Sequence, residues 1–197
     1  QVDFYRADPI SDIISENNLL KTVSELQSIR DIRSNSATLL FSIEFSDYKD
    51  LILTQLRTLK LIFIQEELSD YKLKILAKLL PQISNLIELS LDFNHLNTYG
   101  KNEIQELHVA VGSLKKLEKF SINYESCDTI DQNAVNALMN SIQNMDSLLY
   151  LKLGFPYCIN FRDSERLILE QGISNKIELT SLTLNLNSTD ISLVNSI

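Results

Sequence analysis

Residues 86–96 read Leu-Ile-Glu-Leu-Ser-Leu-Asp-Phe-Asn-His-Leu, and their Leu-x-x-Leu-x-Leu start recurs in four other segments of the chain. The second apolar residue of the five copies stands at Leu59, Leu89, Phe120, Leu151 and Leu182, so the copies follow one another at an almost constant step. A fixed period of this size is typical of solenoids, in which each unit stacks only on its neighbours. The period therefore predicts an array of similar units over most of the 197 residues.

Alternation by two residues marks each copy of the motif. Leu89, Leu91 and Phe93 are separated by Ser90 and Asp92, which is typical of a β-strand with one buried and one exposed side. Each copy should therefore supply one half-buried strand. The same parity predicts core positions at Phe120, Ile122, Tyr124, Leu151, Leu153, Phe155, Leu182, Leu184 and Leu186.

Amphipathic helices are predicted between these strands. Apolar residues recur at intervals of three and four before the later strands, as they do on one face of an α-helix. The candidate helices cover residues 70–80, 102–111, 132–142 and 162–172. A helix that crosses over between two strands makes those strands parallel, so the pattern predicts an α/β fold.

The stretch Leu86-x-x-Leu89-x-Leu91-x-x-Asn94-x-Leu96 matches the leucine-rich repeat signature residue for residue. The long helical connection resembles the ribonuclease-inhibitor-like subclass of that family. The resemblance implies a curved horseshoe with parallel strands on its concave face and α-helices on its convex face. It also implies an asparagine ladder that satisfies loop amides, and we expect irregular turns where that column lacks Asn. The column reads Ser46, Ile64, Asn94, Glu125, Pro156 and Asn187.

The two ends of the chain depart from the regular period. Residues 1–37 are predicted as an N-terminal helical cap or a degenerate earlier repeat, because apolar residues from Ile10 to Ile29 have helical spacing. Residues 38–197 are predicted as the leucine-rich repeat domain, with about six strands, the first at 41–45. A strand after Leu182 would fall beyond Ile197, so we expect an incomplete array or a partner at the C-terminal edge.

Composition and charge exclude several kinds of partner. The chain has 18 Lys and Arg against 26 Asp and Glu, a net charge of -8, and no basic cluster interleaved with aromatic residues, so nucleic acid is not expected. An acidic surface would instead attract a basic protein, although the charge also serves solubility. No apolar run approaches the roughly 18 residues of a membrane span.

Residues with reactive side chains are few and scattered. His95 and His108 have no other ligand at metal spacing, so we expect no metal site, with His95 in a loop and His108 on a helix surface. Cys127 and Cys158 occupy equivalent positions one repeat apart and are interpreted as free core thiols, although a disulfide is geometrically conceivable. We expect no catalytic group and no cofactor, since no phosphate loop, nucleophile motif or paired carboxylates occur.

Strand parity selects the candidate binding residues. Tyr150, flanked by Lys119 and Lys152, is the best candidate anchor because Tyr is enriched at interaction hot spots; a solvated strand face with a chance tyrosine is the alternative. Glu88 and Lys119 should lie side by side and neutralise each other. The candidates on the concave face are Lys60, Glu88, Ser90, Asp92, Lys119, Ser121, Asn123, Tyr150 and Lys152.

These features favour a non-enzymatic protein-interaction module, a scaffold or adaptor that binds protein partners. The alternative is a regulatory domain of an enzyme system, such as a GTPase-activator-like or kinase-associated leucine-rich repeat domain. The expected location is cytoplasmic. The abundance of Leu, Ile, Ser and Asn resembles the proteins of AT-rich protist genomes such as ciliates, so a ciliary, cytoskeletal or organellar assembly is the other location considered.

Overall fold

The computed structural model describes residues 28–32, 54, 56–63, 70–94 and 100–186. Over these residues the protein is an α/β fold that contains one parallel sheet of six strands and four α-helices. The strands lie in the sheet in the order in which they occur in the chain. They are β1 (Ser28–Ile32), β2 (Thr58–Phe63), β3 (Glu88–Asn94), β4 (Lys119–Glu125), β5 (Tyr150–Gly154) and β6 (Ser181–Asn185).

One helix lies between each pair of successive strands from β2 to β6. The helices begin and end within two residues of the predicted bounds, which confirms the 3.6-residue pattern as their signal. The first helix continues into a short 3-10 turn, Leu80–Gln82, which contains a proline. The helices are α1 (Asp70–Leu79), α2 (Lys101–Val111), α3 (Gln132–Gln143) and α4 (Asp163–Ser174).

The helices form a layer in which each packs on the next. Lys74 of α1 pairs with Glu103 of α2 at 3.1 Å, and Lys101 of α2 pairs with Asp131 at 3.0 Å. Asp131 is also the N-cap of α3 and accepts two backbone N–H groups of the first helical turn at 3.1 Å. Partial burial alone would raise the pKa of Asp131, but the Lys101 ammonium and these N–H groups lower it. The start of α3 is therefore tied to α2.

Pairing in the sheet keeps one register from β2 to β6. Leu59 is aligned with Leu89, and Leu89 with Phe120, Leu151 and Leu182 in turn, so the predicted column of apolar residues runs straight across the strands. On β2, on β4 and on residues 88–93 of β3 the residues of this parity are buried and the others are not. The buried side chains of the strands and helices form one core cluster between the two layers.

Aromatic side chains make a continuous ladder through this core. Phe63 stacks on Phe93 with ring centroids 4.9 Å apart, and Phe93 stacks on Tyr124 at 5.2 Å. Tyr124 stacks on Phe155 at 5.9 Å, and Phe155 on Phe161 at 4.4 Å. Each such pair contributes about 0.5–1.5 kcal/mol beyond its buried area. The aromatic ladder therefore couples β2 to β3, β3 to β4, and β4 to the residue that follows β5.

The first strand of the sheet differs from the sequence prediction. β1 pairs with β2 in the place assigned to residues 41–45, and those residues lie outside the described part of the chain. Ile29 is in this strand and aligned with Leu59, so its assignment to a helix is wrong. The pairing extends the regular step to one strand before β2. The division of residues 1–37 between a helical cap and an earlier repeat stays a prediction.

Backbone conformation explains one glycine and two turns. Gly112 at the end of α2 is not left-handed, since its φ is -63°, and no described glycine has a positive φ. The reason for glycine here is space, because a Cβ would lie 2.9 Å from the Cα of Ser141 on α3. Positive φ occurs instead at Ser126 (54°) and Tyr157 (60°), each directly after a position where the asparagine column has another residue. These turns are irregular, as expected.

The last described strand has an uncovered apolar side. Leu182 and Leu184 have the parity that is buried in the preceding strands, yet they are 44% and 40% exposed. Ile177, just before β6, is 85% exposed. A partner contact at this edge stays a prediction.

Candidate functional site on the open face of the sheet

The sheet has a polar side that faces away from the helices, here called the open face. It consists of the side chains on β2 to β6 whose parity is opposite to that of the core, and the register arranges them in three rows. Neighbouring residues of a row lie about 4.8 Å apart, because they belong to adjacent strands. The rows are Thr58-Glu88-Lys119-Tyr150-Ser181, Lys60-Ser90-Ser121-Lys152-Thr183 and Ile62-Asp92-Asn123-Gly154-Asn185.

The first two rows line an open trough of about 300 Å³. Short side chains at Ser90 and Ser121 form its middle, while Lys60 and Lys152 stand on either side of them in the same row. All nine candidate residues predicted from strand parity lie on the open face. Seven of them, including the anchor candidate Tyr150, belong to the first two rows. The register thus brings the predicted set together.

The charges on the open face pair differently from the prediction. Glu88 and Lys119 are aligned on adjacent strands, as expected, but Glu88 forms its ion pair with Lys60 at 3.4 Å. The predicted Glu88–Lys119 pair is therefore wrong. Lys119 extends instead over the ring of Tyr150, with its Nζ 5.5 Å from the ring centroid. A cation at this distance from an aromatic face is attracted to it by about 0.5–1 kcal/mol at an exposed site.

Tyr150 is the large aromatic side chain of the open face. It is 46% exposed, Lys119 lies over its ring, and Lys152 follows on the same side of the strand. The contact with Lys119 favours this orientation of the tyrosine ring. Tyr150 therefore combines apolar area, a hydroxyl group and a limited conformational freedom, which are the properties of an interaction anchor.

The third row has a more fixed arrangement. The amide nitrogen of Asn123 donates a hydrogen bond to the carboxylate of Asp92 at 2.9 Å across adjacent strands. Asn123 is followed in the row by Gly154, where a Cβ would collide with the Asn123 amide. The sequence prediction gave Gly154 no role. The missing side chain leaves room for the Asn123 amide to lie over β5.

His108 is buried, which corrects its assignment to a helix surface. Its side chain lies in the core, only 1% exposed, and contacts the phenol of Tyr124 edge-on. Nδ1 lies 2.9 Å from the carbonyl oxygen of Ala134, so it carries the proton and donates it. Nε2 then accepts the Tyr124 hydroxyl hydrogen at 2.6 Å. Burial lowers the pKa of His108 to about 4 and raises the pKa of Tyr124, so both groups are neutral at pH 7.

The two cysteines are free and buried, as predicted. The Cys158 thiol donates to the carbonyl oxygen of Tyr124 at 2.8 Å, and the Cys127 thiol lies 3.5 Å from the carbonyl oxygen of Phe93. Cys158 therefore contacts the end of β4, and Cys127 contacts the end of β3. Burial raises the pKa of Cys158 to about 11, so that this thiol is protonated and unreactive at neutral pH.

Neither a metal-binding cluster nor a membrane-spanning helix occurs among the described residues. No group of three or more His, Cys, Asp or Glu side chains among them is placed to hold a metal ion. None of the helices in this part of the chain is long and apolar enough to cross a bilayer. His95 and Asn187 lie outside the described residues.

Comparison with known proteins identifies no family for this chain. No protein-family model matches it, and no curated protein shows a significant match.

Proposed function

We propose that the chain is a leucine-rich repeat solenoid of the ribonuclease-inhibitor-like subclass. The constant register supports this proposal, since strands at nearly equal steps along the chain pair in order and the leucines of the motif on β2, β3 and β5 are buried. Packed helices need about 8–10 Å each, whereas strands are about 4.8 Å apart. Continued stacking of such units bends the array, with the open face on the concave side.

The same proposal assigns the chain a non-enzymatic role as a protein-interaction module, a scaffold or adaptor. The observation that carries it is Tyr150, a half-exposed aromatic side chain held by Lys119 beside an open trough. Small polar residues at Ser90 and Ser121 leave the trough accessible to a partner chain. A rigid aromatic anchor beside accessible polar groups is the pattern of a hot spot with its rim.

A comparison of retained proteins tests this role. The immobilised 197-residue chain and its Tyr150→Ala/Lys152→Glu variant are incubated with an extract of the source cells, and the retained proteins are quantified by mass spectrometry. We expect specific partners to fall by at least about tenfold with the variant, since hot-spot truncation costs about 2 kcal/mol or more. The melting temperature should change by no more than about 2 °C, because both side chains are exposed.

The matched control carries equivalent changes on the helical side. Val109→Ala/Lys78→Glu also shortens one exposed side chain and reverses one charge, on α2 and α1. If the control loses the partners and the open-face variant keeps them, the interface lies on the helices and the proposed role of the open face is wrong. The alternative of a regulatory domain in an enzyme system stays a prediction.

A further inference from the structure

Hydrogen-bond donors dominate the middle row of the open face. From β2 to β6 this row reads Lys60, Ser90, Ser121, Lys152 and Thr183, so every position carries an ammonium or a hydroxyl group. No carboxylate belongs to it. Such a row satisfies the oxygen atoms of an anion better than the donors of a cation.

The charges around the trough are also positive on balance. Three lysines, Lys60, Lys119 and Lys152, line it together with one carboxylate, that of Glu88. Lys60 is neutralised by Glu88. Among the described residues Lys119 and Lys152 form no ion pair, and Lys119 lies against the ring of Tyr150. The trough therefore has two uncompensated cations beside its aromatic anchor, on a chain whose net charge is -8.

We propose that the trough binds an extended acidic segment of a protein partner, with carboxylates held by Lys119 and Lys152. This inference rests on the proposed role of the open face and names the chemistry of its partner. The net charge favours a basic protein at long range, but exposed charges are screened beyond about 8–10 Å at physiological salt. At contact distance the charge of the bound segment is therefore selected by the nearby cations Lys119 and Lys152.

The spacing of the two lysines fits such a segment. They stand on adjacent strands and two positions apart along the strand direction, so their Cα atoms are about 8 Å from each other. Alternate side chains of an extended peptide point the same way and are about 6.6–6.8 Å apart. Two acidic residues separated by one residue can therefore each reach one ammonium, while the intervening backbone passes the hydroxyl groups of Ser121 and Tyr150.

Fluorescence anisotropy with two defined peptides tests the proposal. The probe is a fluorescein-labelled peptide of alternating Glu and Ser, and the reference replaces each Glu with Gln. We expect the 197-residue chain to bind the Glu peptide at least about tenfold more tightly, which corresponds to about 1.4 kcal/mol for the two charge-assisted contacts together. Lys119→Gln/Lys152→Gln should lose that preference, whereas Lys78→Gln/Lys116→Gln, which removes the same charge elsewhere, should keep it.

Carbodiimide cross-linking of the Glu peptide locates the contact directly. Amide bonds should form between its carboxylates and the Nζ atoms of Lys119 and Lys152, as mapped by mass spectrometry after digestion. Equal affinity for the Glu and Gln peptides, or cross-links mainly on the helical side, would overturn the inference. So would tighter binding of an oligothymidine of equal charge, because the trough would then be a general anion site. Loss of the cellular partners on Tyr150→Ala/Lys152→Glu would still support the open face in each of these cases.

Discussion

The stability of the protein should fall as the pH is lowered from about 6.5 to 4 because His108 is buried as a neutral imidazole. Its Nδ1 donates to the Ala134 carbonyl at 2.9 Å, and its Nε2 accepts from the Tyr124 hydroxyl at 2.6 Å. A proton added to Nε2 would replace that acceptor by a second donor and place a charge in the core. The folded state therefore resists protonation of His108.

The expected loss follows from the two pKa values of His108. In the unfolded chain the pKa is the ordinary 6.5, whereas burial lowers it to about 4 in the folded protein. Between these values the unfolded state binds a proton that the folded state does not, so stability is fully present above pH 6.5 and decreases as the pH falls. At about 1.4 kcal/mol for each pH unit, the loss is about 3 kcal/mol when pH 4 is reached.

Urea unfolding followed by far-UV circular dichroism, repeated between about pH 4 and pH 7, measures this loss. Carboxylates also titrate in this range, so the wild-type chain is compared with His108→Leu/Tyr124→Phe. That variant removes the donor and the acceptor together, which leaves no unpaired polar group between the two side chains. From pH 7 to pH 4 the free energy of unfolding of the wild type should fall by about 3 kcal/mol more than that of the variant.

The single variant Tyr124→Phe gives a second measure of the same contact. It leaves Nε2 of His108 in the core without its donor, so it should destabilise the protein by about 1–3 kcal/mol at pH 7.

Parallel stability curves for the wild type and the double variant, within about 0.5 kcal/mol over the whole range, would refute the buried neutral histidine.

Gly112→Ala should destabilise the fold by about 1–3 kcal/mol, since the new methyl group would lie 2.9 Å from the Cα of Ser141. An unchanged urea midpoint would contradict this close contact. Cys127 and Cys158 should react with Ellman's reagent only as the chain unfolds, because both are buried; fast labelling of the native protein would count against that. Tyr157→Gly should be neutral or stabilising, while Tyr157→Val should cost about 1–3 kcal/mol, because φ is 60° at this residue. Equal thermal midpoints for these two variants would show that the turn is not left-handed.

The regular part of the fold was predictable because two different periods occur within the same repeating unit. The alternation Leu89-Ser90-Leu91 identifies a strand, and the three- and four-residue spacing before it identifies a helix. The strands are confirmed, and the helices are confirmed to within two residues, since the units from β2 to β5 repeat the same buried columns. The repetition itself supplied the register.

The first strand could not be identified in this way because its pairing is irregular. Ile29 is aligned with Leu59 and Ile32 with Leu61, so three steps along β1 span two along β2. Because of this irregularity, the two apolar residues Ile29 and Ile32 are three positions apart, as on one face of a helix, and not two apart, as in a regular strand. The apolar pattern was therefore misleading where the ladder itself departs from its period.

The candidate site was predictable in its membership but not in its contacts. Strand parity placed Lys60, Glu88, Lys119 and Tyr150 on one face, and the register confirms this. Which lysine pairs with Glu88 depends on side-chain rotamers, about which the sequence pattern contains no information. The burial of His108 was not predicted for a different reason. A polar residue is expected at the surface unless a buried hydrogen-bond partner is known, and here that partner is Tyr124 on the next strand.

The constant register across the sheet has a consequence for how the chain can change in length. Tyr150 is aligned with Lys119 and Ser181, so removal of one whole unit between equivalent positions would bring two strands together without a slip. Each core side chain would meet one of the same type on the new neighbour, and the ladder of Phe93, Tyr124 and Phe155 would simply become shorter. Duplication would lengthen it by the same rule. Unequal recombination between similar units can therefore alter the extent of the open face while the core remains continuous.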